Sequence, residues 1–318
     1  MSLPRFATVF VVLFWGSSWI AADSPKVTTH RIDPRDETRD RVVPIKVYLP
    51  ESAKGPLPVV LFSHGLGGSR EGSSYLGEFW AQSGYVAVFP QHVGSDDSIW
   101  KDTIPGKRFA ALKDAANGQA FWDRVEDVKF VLDQLEMWQT EPNHLLSRRM
   151  ELDKIGMSGH SFGGRTTQAT MGQKFAFNRS FPDPRLDAFI VMSPSPGEFP
   201  NPDRAFGGVK HPVLCMTGTR DNSPLDPRIT PESRLKVYES LPSGNKFQVV
   251  FDHGSHSIFS DHELLGGKQR DPRYHLAIQK LTTAFWDAYL KGDSNALRFL
   301  KSDEPKRLLS DADQWLHE

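Results

Sequence analysis

A short stretch from Lys154 to Thr166, reading KIGMSGHSFGGRT, constrains this chain more than any other. Ile155, Gly156 and Met157 form an apolar run of the kind that makes a buried parallel strand. Gly159-His160-Ser161-Phe162-Gly163 follows and fits G-x-S-x-G, and Gly164 adds one more residue without a side chain. A serine on so sharp a strand-to-helix turn sits at strained φ and ψ, with its hydroxyl pushed into the open. Its neighbours must be nearly free of side chains, because strand and helix would otherwise collide. The next backbone N–H, that of Phe162, is aimed where a negative oxygen would form. An ordinary glycine-rich turn is the plain alternative, and the rest of the chain weighs against it.

Around this stretch, strand and helix signals alternate. Ile45 to Leu49 reads as an edge strand. Leu57 to His64, LPVVLFSH, is apolar on both faces, as a central parallel strand requires. Tyr75 to Ser83 places Leu76, Phe79 and Trp80 on one helical face, and Tyr85 to Phe89 is again a strand. Phe121, Val125, Val128, Leu132 and Leu135 recur at the spacing of an amphipathic helix. Further strands are expected at Ala188 to Met192, Val213 to Thr217 and Phe247 to Phe251. Thr230 and Pro231 open a helix, and Tyr274 to Leu290 is the last long one. Such alternation predicts an α/β fold with a mostly parallel central sheet and helices on both faces.

The 318 residues, 38% of them hydrophobic, allow one large α/β domain or two small ones. No linker or repeat divides them, so one catalytic domain over 45–291 is expected. Residues 23–44 read as an extended lead-in and 292–318 as a polar tail. The weakly periodic stretch 91–120 is a candidate lid, with a surface loop as the other reading. The net charge of −1 gives no argument for a nucleic-acid partner. Cys215 is the only cysteine, so no internal disulfide forms, and its place in VLCMT makes it a core residue.

At the start, Arg5 precedes an apolar run of about ten residues, Phe6 to Trp15, and Ile20-Ala21-Ala22 resembles a cleavage site. A signal peptide over 1–22 is expected, hence export to a periplasm or the outside, with no stable membrane span after cleavage. An uncleaved anchor is the alternative.

Serine becomes a nucleophile only when a base takes its proton, and that base needs an acid to orient it. In open α/β sheets such groups gather beyond the carboxyl ends of strands. After Val213–Thr217 comes Gly218-Thr219-Arg220-Asp221, where Asp221 is the candidate acid. Asp226 on the same loop is its rival, and Glu198 a weaker one. After Phe247–Phe251 come His253 and His256; His256 lies further into the loop, with more freedom to reach the serine. A metal site is the alternative reading for Asp252, His253, His256, Asp261 and His262, but His262-Glu263-Leu264-Leu265-Gly266 lacks the second histidine of H-E-x-x-H. Glycines in His64-Gly65-Leu66-Gly67-Gly68, directly after a central strand, suit an oxyanion loop with the Leu66 N–H as second donor.

The order Ser161, Asp221, His256 is that of α/β hydrolases. The span from about 40 to 290 resembles that fold. Within it, Phe62-Ser63-His64-Gly65-Leu66-Gly67, Gly159-His160-Ser161-Phe162-Gly163-Gly164 and His256-Ser257-Ile258-Phe259-Ser260-Asp261 resemble the branch of platelet-activating-factor acetylhydrolases and predicted dienelactone hydrolases. The resemblance implies ester hydrolysis, with the Leu66 and Phe162 amides as backbone donors and a small-molecule or lipid ester as substrate. No metal or organic cofactor is called for. A serine peptidase or amidase of the same fold, and a binding protein on a dead hydrolase scaffold, are the competing readings.

Overall fold

A computed structural model describes residues 25–53, 55–101, 103–197, 201–261 and 272–318. The expected signal segment over 1–22, Glu198 and His262 lie outside the described residues.

Among the described residues the main sheet has nine strands: β1 (Val27–Ile32), β2 (Ile45–Pro50), β3 (Leu57–Ser63), β4 (Val86–Pro90), β5 (Met150–His160), β6 (Ala188–Met192), β7 (Val213–Arg220), β8 (Lys246–Ser255) and β9 (Gln314–His317). Their order across the sheet is β1-β2-β4-β3-β5-β6-β7-β8-β9. From β4 through β8 every neighbouring pair is parallel, and β1, β2 and β9 join antiparallel. The principal helices are α1 (Ser74–Gln82), α2 (Gly118–Thr140), α3 (Phe162–Thr170), α4 (Pro231–Ser240), α5 (Pro272–Tyr289) and α6 (Ser294–Leu300).

Period-two alternation sends the strand residues to two separate cores. Val59 and Leu61 of β3 and Val213 and Cys215 of β7 pack with Val128, Val131 and Leu132 of α2 and Val237 of α4. Val60 and Phe62 of β3 and Leu214 and Met216 of β7 face the other way, onto Trp80 of α1 and Ile278, Leu281 and Trp286 of α5. This is why the central strands are apolar throughout: both faces are covered. Burial pushes the Cys215 thiol up to about 12, as suits a core residue rather than a nucleophile.

Three outer segments carry more structure than their sequence signals. Residues 27–32, read as part of an extended lead-in, form β1, paired from Val27↔Pro50 to Ile32↔Ile45. VTTHRI carries little apolar signal because it is an edge strand with a half-exposed face. The 292–318 tail is folded as well. Asp293 caps α6 by accepting from the amides of Asn295 and Ala296, and β9 adds to β8 with Trp315 stacked 5.9 Å from Phe247. Leu300 and Trp315 anchor that segment, too few apolar residues to show as a pattern. The 91–120 stretch is not bare loop: it holds helices at Ser98–Lys101 and Arg108–Ala115. Leu112 of the second packs with Leu66 and Phe162, and Trp100 Nε1 donates to Gly67 O at 2.7 Å.

Candidate active site

β5 runs straight into α3 through Ser161, which has φ 57° and ψ −114°. The flanking glycines explain how a non-glycine residue holds that conformation. A Cβ on Gly159 would overlap the backbone of Gly163, and one on Gly163 would overlap the carbonyl of Ser63. The Ser161 N–H donates to Met192 O at 3.0 Å, pinning the turn to the end of β6.

Asp221 leaves the end of β7 and is fully buried. His256 comes from the end of β8, where the pairing to β7 shifts register between Phe251 and Ser255. That irregularity is what turns the chain inward. Gly218 permits it, since a Cβ there would overlap the backbone of Gly254. The three side chains meet. His256 Nε2 lies 2.8 Å from Ser161 Oγ, and His256 Nδ1 lies 2.6 Å from Asp221 Oδ1. Thr217 Oγ1 donates to the second oxygen, Asp221 Oδ2, at 2.9 Å. Burial would raise the Asp221 carboxyl, but the hydrogen bond and charge of His256 and the charge of Arg234 outweigh it and hold it below the usual carboxylate range.

The rivals stand elsewhere. His253 is mostly exposed, with Nε2 3.4 Å from Asp252. Asp226 is taken up by Arg228, whose Nη2 is 2.8 Å from Oδ2. The Phe162 amide is at the first position of α3, and the Leu66 amide is in the loop after β3; neither donates to another group among the described residues.

Two buried arginines escaped sequence reading. Arg234 of α4 donates to Asp221 O at 2.7 Å, Ser193 O at 2.8 Å and Pro194 O at 2.9 Å. Arg124 of α2 is fully buried behind the loop after β3. Each sits on the face of its helix that Val237 or Val128 marks as inward. A charge in that register was the available signal.

The dienelactone hydrolase family model matches residues 45–261. The chain belongs to the dienelactone hydrolase family. That makes it a member of a family of ester-bond hydrolases. It is also 24% identical over 287 residues to the platelet-activating factor acetylhydrolase of Cavia porcellus, covering 80% of this chain and 62% of that protein's length. The chain thus spans less than two thirds of that relative. A solved ferulic acid esterase from Streptomyces cinnamoneus shares the fold, with a TM-score of 0.64 and 22% identity over 93% of this chain and 97% of that one. Among the described residues of this dienelactone hydrolase family member, no helix is long and apolar enough to cross a membrane.

Proposed function

We propose that this dienelactone hydrolase family member hydrolyses carboxylic esters through a serine acyl-enzyme, acting on lipid-like or other small acyl esters. Ser161 is the nucleophile, His256 the base and Asp221 the acid that orients it. The observation that carries this reading is the unbroken relay from Asp221 Oδ1 through His256 to Ser161 Oγ, with both links at hydrogen-bonding distance.

In this mechanism the ionised Asp221 accepts the Nδ1–H of His256, which leaves Nε2 free to take the Ser161 proton. Oγ attacks the ester carbonyl, and the carbonyl oxygen becomes an oxyanion bound by the Leu66 and Phe162 amides. One such donor is typically worth about 3–4 kcal/mol of barrier. The imidazolium then protonates the leaving alcohol, and the acyl group stays on Ser161. Water, deprotonated by His256, attacks the acyl-enzyme; collapse of the second tetrahedral species returns the acid product and free Ser161.

The relatives are named for acetyl-ester and ferulic-acid-ester cleavage, which supports esters of modest size here as well. The wall formed by Trp100, Leu112 and Phe121 beside Leu66 and Phe162 suits an apolar part of the substrate and supports a lid role for the 91–120 segment. Export is part of the proposal, carried by the Arg5, Phe6–Trp15 and Ala21-Ala22 pattern. Turnover of p-nitrophenyl acetate by the wild type, its loss in Ser161→Ala and covalent labelling of Ser161 by a fluorophosphonate are the expected results. Wild-type-like turnover in Ser161→Ala would end this reading.

A further inference from the structure

The mechanism above makes no use of Arg124, although its guanidinium is fully buried on the inner face of α2. Burying an ion is costly unless its donors are occupied. No carboxylate hydrogen-bonds to this guanidinium among the described residues. Its donors go to two loops instead. Nη1 donates to His64 O at 2.6 Å, Nη2 to Gly65 O at 3.3 Å and Ser95 O at 3.2 Å, and Nε to Ser95 Oγ at 2.7 Å. The approach of Nη2 to His64 Nδ1, at 3.4 Å, is not a bond. His64 Nε2 accepts from the His92 N–H at 3.0 Å, so the ring proton is on Nδ1 and is donated to Gly65 O at 2.7 Å.

Gly65 C=O and Leu66 N–H are the two ends of one peptide plane. In a trans peptide they point in opposite directions and turn as a unit. Gly65 O is gripped by His64 Nδ1, by the Gly68 N–H at 3.1 Å and by Arg124. Ser95 O, also held by Arg124, accepts the Gly67 N–H at 3.0 Å. A grip on the carbonyl fixes the direction of the amide across the plane. That plane passes beside the nucleophile: a Cβ on Gly65 would lie 3.5 Å from Ser161 Cβ. The same guanidinium is 4.5 Å from the ring centroid of Phe162, the residue that carries the other amide donor.

We propose that Arg124 is a positioning residue for the oxyanion pocket, holding the Gly65–Leu66 peptide in the orientation that aims the Leu66 N–H at the tetrahedral oxygen. This rests on the ester-hydrolase reading above. Arg124 touches no substrate; it acts through the peptide it grips. Its fixed positive charge, set in dry surroundings, also adds to the field felt by a developing oxyanion.

The test compares wild type, Arg124→Lys and Ser95→Ala on p-nitrophenyl acetate. Lysine keeps the charge and loses the fork that reaches three carbonyls. Ser95→Ala keeps the guanidinium and removes one of its anchors. Arg124→Lys is expected to lower kcat about 100-fold, the scale of one lost oxyanion donor, with KM nearly unchanged. Affinity for a trifluoromethyl ketone, which mimics the tetrahedral state, should fall by the same factor as kcat/KM. Ser95→Ala should show the same pattern at a smaller size. Wild-type kcat in Arg124→Lys overturns the proposal, and so does a kcat loss that ketone affinity does not follow, because a merely structural role gives that result. If Arg124→Lys does not fold, Ser95→Ala decides by the same two readouts. A wild-type chain that neither turns over the ester nor takes a fluorophosphonate label sinks the ester-hydrolase reading itself, and the proposal with it; no variant result can imitate that outcome.

Discussion

Arg234 grips Asp221 at two points, donating through Nε to its backbone carbonyl at 2.7 Å and lying 3.1 Å from carboxylate Oδ1. That same Oδ1 is 2.6 Å from His256 Nδ1, so one carboxylate oxygen serves the arginine and the imidazole together. Nη1 ties the ensemble to Ser193 O and Pro194 O at the end of β6. Removing the guanidinium takes the neighbouring positive charge from a buried carboxylate and leaves three carbonyls without this donor. Arg234→Met should therefore cost about 3–5 kcal/mol of stability, the usual cost of breaking a buried charge pair. Urea denaturation checks this; a loss below about 1 kcal/mol would show the arginine to be no anchor.

The assignment of acid and base is tested by two matched pairs of variants. Asp221→Asn, which leaves the shape but invites the wrong imidazole tautomer, should lower kcat about 10,000-fold. Asp226→Ala should stay close to wild type, because the Asp226 carboxylate serves Arg228 and its own turn. His256→Ala should abolish turnover, whereas His253→Ala, an exposed position, should not. Steady-state kinetics on p-nitrophenyl acetate reads all four, and an inactive His253→Ala with an active His256→Ala would reverse the assignment.

What the sequence made legible follows from which signals are local. The turn at Ser161, the both-faces-apolar run of β3 and the loop positions of Asp221 and His256 are each written within a few residues of one strand. Edge and tail elements carried no comparable mark, since β1 and β9 bury only one side and borrow their ladder from β2 and β8. Arg124 and Arg234 were hidden for another reason. Each lies on an inward helix face, but most of its partners are backbone carbonyls of loops distant in sequence, 29 to 60 residues away for Arg124 and 13 to 41 for Arg234. Carbonyls have no residue identity, so no pattern in the chain announces that they need a donor.

Glycine substitutions separate the turn from ordinary positions. Gly163→Ala drives a methyl into the backbone of Ser63 and His64, where no side-chain rotation can relieve it. The expected loss exceeds about 4 kcal/mol, so the variant should be recovered insoluble or unfolded. Gly118 is the first residue of α2 and has nothing within reach of a new Cβ. Gly118→Ala should stabilise by about 0.5–1 kcal/mol through lower backbone entropy in the unfolded chain. Thermal melts compare the two; a soluble, wild-type-like Gly163→Ala would show that the elbow can relax.

Stability should fall steeply on the acid side of neutrality, because three buried histidines are held neutral. Burial pushes His64 and His160 well below the ordinary histidine range. Burial, aided by the charge of Arg124 and opposed by Asp127, takes His92 down to about 4. In the unfolded chain each takes up a proton as pH falls through about 6.5. Below about 6.5, and down to about 4 for His92, the unfolded state thus binds more protons, so the contribution is complete above about 6.5 and is lost as pH drops. Three such groups give a limiting slope of about 4 kcal/mol per pH unit. Asp127 extends the loss further. Burial would raise it, but hydrogen bonds from His92 and Arg41 hold it at about 2, so its contribution goes as pH falls from about 4 toward 2. Denaturant unfolding at pH 7.5, 6 and 5 measures the slope. His92→Asn should flatten it by one proton, about 1.4 kcal/mol per unit, whatever it does to absolute stability. A variant slope equal to that of wild type would mean that His92 is already charged in the folded chain.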